Sequence, residues 1–262
     1  MELVDVRPGC LPASRGSRAA GWALHVYTAS GSVLALVAVL AAVDGRVSEA
    51  LWVLLLALVV DGTDGMLARR LRVSETIPGF DGARLDDIVD YLTYVFAPVV
   101  LLLASGRLPA GAWGAVLAAL PLLASCIQFC RRDAKTEDHY FLGFPSYWNV
   151  VAFYAVVLDL GPAAVAAVLV VCSVLVFVPV KYIYPSRTRT FRVLNLALAG
   201  IWLVLYAVIL AGMPHPNGLA VALSLAYLAY YLLASVWLTV LHRFRRPRAG
   251  TPAAGAPTEI PG

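Results

Sequence analysis

The sequence predicts an all-α fold, a polytopic transmembrane helix bundle of about eight spans with both termini in the cytoplasm. Three observations predict it. Apolar runs of about 18 or more residues, the length a helix needs to cross a bilayer, recur along nearly the whole chain. Hydrophobic residues make up 61% of the 262 positions and charged residues 14%, a mix that excludes an ordinary soluble domain. When the runs are threaded as spans, 18 of the 20 Lys and Arg fall on one side.

Hydropathy, punctuated by Gly, Pro and charge, places the spans at 22-43, 47-68, 86-105, 109-129, 147-160, 163-182, 191-212 and 217-241. The first follows an N-terminal cytoplasmic segment, 1-21, in which Arg7, Pro8, Pro12 and Arg15 do not follow the order of a cleavable signal, so this span is expected to be retained. The fifth is the shortest. An even number of spans returns the chain to its starting side, and that side collects the Arg15, Arg69, Arg131, Arg187 and Arg243 clusters, leaving Arg46 and Arg107 opposite. The positive-inside rule makes the crowded side cytoplasmic. Beyond the membrane domain, 22-242, the tail 243-262 is basic through Arg248, which suits anionic head groups, and then rich in Pro, Ala, Gly and Thr, which suits disorder. Cys10, Cys126, Cys130 and Cys172 show no CxxC pairing, so neither a disulfide framework nor a zinc site is expected.

The chemistry-bearing stretch is Asp61-Gly62-Thr63-Asp64-Gly65-Met66-Leu67-Ala68-Arg69, followed after twelve residues by Gly82-Ala83-Arg84-Leu85-Asp86-Asp87-Ile88-Val89-Asp90. On helices, Asp61 and Asp64 share a face at i, i+3, and Asp86 and Asp90 share one at i, i+4. The intervening loop lets the two pairs meet. Carboxylates gathered at a bilayer edge repel one another unless protons or cations neutralise them, and hard divalent ions such as Mg²⁺ or Mn²⁺ take oxygen ligands of this kind. Gly65 and Ala68 leave a gap on the same face, and Arg69 at its edge can grip a phosphate bidentately. Asp87, about 100° of helix from Asp86, is read as a solvated or supporting carboxylate.

These residues resemble the signature of the CDP-alcohol phosphotransferases. Asp61, Asp64, Gly65, Ala68, Arg69, Gly82, Asp86 and Asp90 occupy all eight of its fixed positions. The twelve-residue spacer, Arg70 to Asp81, departs from the usual eight and is similar to the bacterial branch whose acceptor alcohol is choline. His25 to Gly31, Asp90 to Val95 and Phe141 to Asn149 resemble that branch too, so the likeness runs over about residues 22 to 192. The resemblance implies that Asp61, Asp64 and Asp86 are the principal ligands of Mn²⁺ or Mg²⁺. Asp90 would be the general base and touch the second metal, while Gly65, Ala68, Arg69 and Gly82 line the CDP site. It implies CDP-diacylglycerol, choline and membrane lipids as partners, a homodimer as one assembly, no nucleic acid, and a multi-pass protein of the bacterial inner membrane whose site faces the cytoplasm.

A trimethylammonium group is held by aromatic faces, and Tyr94, four residues beyond Asp90, is the first candidate, with Tyr147 and Trp148 beside it; interfacial belts also account for such rings. His25 reads as a helix-entry polar residue near the nucleotide, and Arg131, Arg132, Lys135, Arg187, Arg189 and Arg192 as topology signals or phosphate contacts. Within the family, glycerol phosphate, inositol phosphate or serine is the alternative acceptor. Outside it, a cation- or proton-coupled transporter is the rival, although transport carboxylates favour the bilayer midplane and repeated halves. Because the basic bias places the carboxylates inside the cell, a cysteine introduced within 70-81 is expected to react with an impermeant thiol reagent only after the membrane is opened. Labelling of intact cells contradicts the orientation.

Overall fold

A computed structural model of the chain describes residues 15–134, 136, 140–183 and 192–245. Residues 1–14, with Arg7 and Cys10, lie outside these, as do Lys135, His139, Arg187, Arg189 and the tail from 246. Of Arg192, His242, Arg243 and Arg245 only the backbone is described.

The architecture is a helical bundle. Helices α1 (Arg15–Val43) and α2 (Val47–Leu71) are joined by a tight turn, and a short α3 (Val73–Thr76) leads to α4 (Gly82–Asp90). This last continues through a π-helical turn, Tyr91–Phe96, into α5 (Ala97–Ala104). After α6 (Ala112–Cys130) come strand β1 (Tyr140–Leu142), α7 (Trp148–Val157), α8 (Pro162–Leu175), strand β2 (Lys181–Ile183), α9 (Arg192–Ala211) and α10 (Gly218–Arg245). Six helical stretches among the described residues are long and apolar enough to cross a membrane, the third being Gly82–Ala104 taken as one, so the chain is a multi-pass membrane protein.

The fifth and sixth expected spans, 147-160 and 163-182, are shorter. Helices α7 and α8 have 10 and 14 residues, roughly 15 and 21 Å at helical rise, against about 30 Å of hydrocarbon. The left-handed Asp159, φ 51°, ends the first of these, and Val178-Pro179 breaks the α pattern after the second. Short length costs α7 little because it does not need lipid as its solvent: Trp148, Ala152, Phe153 and Ala155 are at most 1% exposed within the bundle. The β1–β2 ribbon is a further departure from an all-helical reading. Tyr140, Phe141 and Leu142 pair antiparallel with Ile183, Tyr182 and Lys181, on three residues a side that carry too little pattern to announce a strand.

Small side chains set the closest packing. Ala35, Ala38, Ala41 and Ala42 of α1 are buried with Ala50, Leu51, Leu54 and Leu55 of α2 in the main core, the small-residue contact by which helices approach in a membrane. Polar contacts also tie helices together: Trp148 Nε1 donates to Ser125 Oγ at 2.7 Å, Trp202 Nε1 to Tyr154 Oη at 3.0 Å, and Tyr230 Oη to Asn195 Oδ1 at 2.9 Å. The arginines opposite the basic clusters are paired as well, Arg46 with Asp44 and Glu49, and Arg107 with Asp159 at 2.7 Å.

One contact positions the helix that carries Asp86 and Asp90. A Cβ on Gly31 would lie 2.5 Å from Val89 Cγ1, and a β-branched side chain on a helix has little freedom to turn aside. Gly31→Ala is therefore expected to destabilise the protein by about 1–3 kcal/mol, seen as a lower melting temperature in detergent. Adding Val89→Ala is expected to recover part of the loss; full tolerance of Gly31→Ala alone contradicts the close crossing.

Candidate functional site

The two motif segments fold for local reasons. Helix α2 ends at Arg72, which adopts a left-handed conformation, φ 47°, and returns its N–H to the carbonyls of Ala68 and Arg69, a capping geometry that satisfies the last turn. Asp81 then caps α4, its Oδ1 accepting from the N–H of Arg84 at 3.0 Å. Between them the spacer is an anchored elbow: Val73 and Ile77 are buried with Leu24 of α1, and Ala68 and Phe80 pack against them. The long spacer thus folds as a short helix and a turn.

This elbow brings Asp61 of α2 together with Asp86 and Asp90 of α4. One carboxylate oxygen from each lies within 4.8 Å of the others, and all three residues are half-buried. It is the one group of metal-ligating side chains of this density among the described residues. Three carboxylates without histidine or thiolate form the donor set of a hard divalent cation, so the residues fit such an ion.

Asp64 stands apart from that group. It is 5% exposed, hydrogen-bonded to the Thr28 hydroxyl of α1, and close enough to Asp61 and Arg69 to feel both charges. One residue earlier, the Thr63 and Tyr27 hydroxyls are 2.8 Å apart, a second polar tie between α1 and α2. The glycines also differ in use. A Cβ on Gly65 would meet Arg69 Nη1 at 3.4 Å, so the guanidinium lies over the gap that Gly65 leaves. At Gly82 the gap is filled by His25, whose Cε1 would be 3.0 Å from an added Cβ. His25 is buried against the rings of Trp22 and Phe80. Ala68 is half-buried on the elbow side.

The aromatic candidates separate in the same way. The Tyr94 hydroxyl donates to Asp61 Oδ2 at 2.5 Å, and its ring centroid lies 5.9 Å from that of Tyr147. Tyr147 is half-buried and also meets Phe141 and Tyr231. Trp148 is fully buried, with its indole N–H committed to Ser125, and so forms part of the core beneath Tyr147. Beside α4, Asp87, Gln128, Phe129, Arg131, Arg132, Phe141 and Ser146 are among the residues lining a cavity of about 120 Å³. Arg131 is engaged there by Asp133 at 2.7 and 3.0 Å, and this pairing holds the Asp133 carboxyl below the usual range. Sequence reasoning missed Thr28, Tyr27 and Tyr231; only the first two carried a signal, as hydroxyl residues in the segment His25 to Gly31.

With this geometry in place, comparison with known proteins is informative. The family model described as CDP-alcohol phosphatidyltransferase matches residues 25–180. A phosphatidylcholine synthase of Pseudomonas aeruginosa is 39% identical over 221 residues, covering 84% of this chain and 92% of that protein. One of Legionella pneumophila is 37% identical over 233 residues, 86% and 91% of the two chains. That of Borreliella burgdorferi is 34% identical over 226 residues, 86% and 96%. The motif, the helices that carry it and the extent of these matches agree, and the chain belongs to the CDP-alcohol phosphatidyltransferase family.

Proposed function

We propose that this protein transfers the phosphatidyl group of CDP-diacylglycerol to choline, yielding phosphatidylcholine and CMP. The observation that carries the proposal is the convergence of Asp61, Asp86 and Asp90 at the family's motif positions. The identity to phosphatidylcholine synthases over most of the chain supports choline as the acceptor.

In this reading Asp61, Asp86 and Asp90 would hold Mn²⁺ or Mg²⁺, with Asp64 of the same motif bordering Asp61 and joining them once an ion is bound, while Arg69, over Gly65 and next to Ala68, would face the CDP pyrophosphate. A divalent ion bound there stabilises negative charge on the phosphates and on the leaving oxygen. Gly82 contributes through the His25 ring that occupies its gap. Asp90, one helical turn from Asp86, accepts the proton of the choline hydroxyl as its oxygen bonds to the phosphorus bearing the diacylglycerol. The bond from that phosphorus to the CMP oxygen breaks, and CMP leaves. The exposed part of the Tyr147 ring, with the Tyr94 ring behind it, supplies an aromatic face for the trimethylammonium. Trp148 supports that face from the core.

The basic bias of the sequence supports an orientation with the site toward the cytoplasm of a bacterial cell, in the inner membrane, where both termini also lie. In this reading the two short helices supply the fifth and sixth passes, α7 from within the bundle and α8 with Val170, Val171 and Val174 on its outer face.

Purified protein with Mn²⁺ and CDP-diacylglycerol is expected to release CMP when given choline, and not when given glycerol phosphate, inositol phosphate or serine. Chelation, Asp61→Ala or Asp86→Ala is expected to abolish release. Asp90→Asn is expected to lower kcat by about 10²- to 10⁴-fold with a smaller change in the KM for choline, since a proton acceptor is lost and the aromatic face kept. Turnover with another acceptor and none with choline contradicts the acceptor assignment.

A further inference from the structure

Tyr94 lies in the π-helical turn that follows Asp90, is 7% exposed, and reaches across to α2 to donate its hydroxyl to Asp61 Oδ2 at 2.5 Å. Asp61 is one of three carboxylates whose oxygens sit within 4.8 Å of each other. Left to itself, a side chain in such a group rotates away from its neighbours, because like charges disfavour the gathered arrangement. A donor that engages one oxygen opposes that rotation and leaves the other oxygen for a cation. The donor is itself immobilised, since the Tyr94 ring is packed in the main core and against Tyr147.

The wide turn supplies the direction. An α-helix rotates about 100° per residue, so steps of four overshoot a full turn by about 40° each, and Tyr94 in a regular helix would sit about 80° round from Asp86. A π turn, bonded i to i+5, rotates less per residue and limits this drift. Tyr94 thereby stays on the side of the helix that Asp86 and Asp90 share, where α2 passes. The Asp61 contact is the result.

We propose that Tyr94 is a positioning residue of the cation site: its hydroxyl sets the Asp61 carboxylate in the ligating orientation, and the π turn Tyr91–Phe96 delivers it there. This deepens the preceding reading, on which it rests for the presence of a divalent ion. It also separates two roles in one side chain, a hydroxyl acting on Asp61 and a ring face next to Tyr147.

The test is Tyr94→Phe, which keeps the ring and removes the hydroxyl. Mn²⁺ is titrated into the purified full chain in detergent without either substrate, with free Mn²⁺ read by electron paramagnetic resonance. The variant is expected to raise the Mn²⁺ dissociation constant about 10- to 100-fold, while the KM for choline at saturating Mn²⁺ stays within about twofold. Melting in the presence of chelator checks that the fold persists. In an Asp61→Asn background, Tyr94→Phe is expected to reduce the Mn²⁺-induced rise in melting temperature no further. A dissociation constant within about twofold of the unaltered protein overturns the assignment, as does an equal loss in the Asp61→Asn background. If the unaltered protein shows no saturable Mn²⁺ binding, the cation site and this role fall together; choline-dependent CMP release is judged separately.

Discussion

The arrangement turns on holding three carboxylates together at the edge of an apolar bundle. At separations up to 4.8 Å, each ionised pair repels by about 3–4 kcal/mol at an effective dielectric of about 20, before solvent screening. Three such pairs amount to a sizeable share of the roughly 5–15 kcal/mol that keeps a domain folded. The scaffold must therefore hold α2 and α4 against a force that drives them apart. A bound divalent ion changes the sign of that force, which links metal binding to the packing of the helices.

Helix α1 is the buttress. Its contacts run down one face at helical spacing: Gly21 against Ile77 of the elbow, His25 against Gly82, Thr28 against Asp64, and Gly31 against Val89. Each touches an element that carries or flanks a motif residue, so one helix sets the separation of the two that bear the carboxylates. The lower part of α1 does the same by a different means, burying Ala35, Ala38 and Ala42 in the core that α2 shares. Small residues at these positions make the approach close, and closeness is what transmits position between helices that have no aqueous hydrophobic effect to press them together.

The sequence showed the outline of this design more readily than its joints. Apolar runs gave the helices, and the spacing of Asp61, Asp64, Asp86 and Asp90 gave the meeting of two helix ends, because both depend on residue type and periodicity. What periodicity does not encode is backbone irregularity. The π turn is invisible in Tyr91–Phe96, whose residues suit an α-helix equally well, and the turn decides that Tyr94 meets Asp61. The β1–β2 ribbon and the early end of α8 are likewise tertiary outcomes, where Phe144 and Gly143 bond the carbonyls of Leu175 and Val180. Trp148 and Tyr147 are adjacent in sequence and both aromatic, yet burial sends one to the core and leaves the other half-buried. No pattern in one dimension separates them.

The polar contacts of the α2 carboxylates show a consistent choice. Asp64 is met by the hydroxyl of Thr28 and Asp61 by that of Tyr94, each from a different helix. A lysine or arginine in either place would orient the carboxylate as well, but it would also discharge it and compete with a divalent ion for the same oxygens. A neutral hydroxyl supplies direction and leaves the negative charge in place. Arg69 is exposed and lies over Gly65 one turn along α2, where it acts on Asp64 through space. In these two hydroxyl contacts orientation comes without neutralisation, which suits a site whose charge is to be met by an ion that arrives from solution.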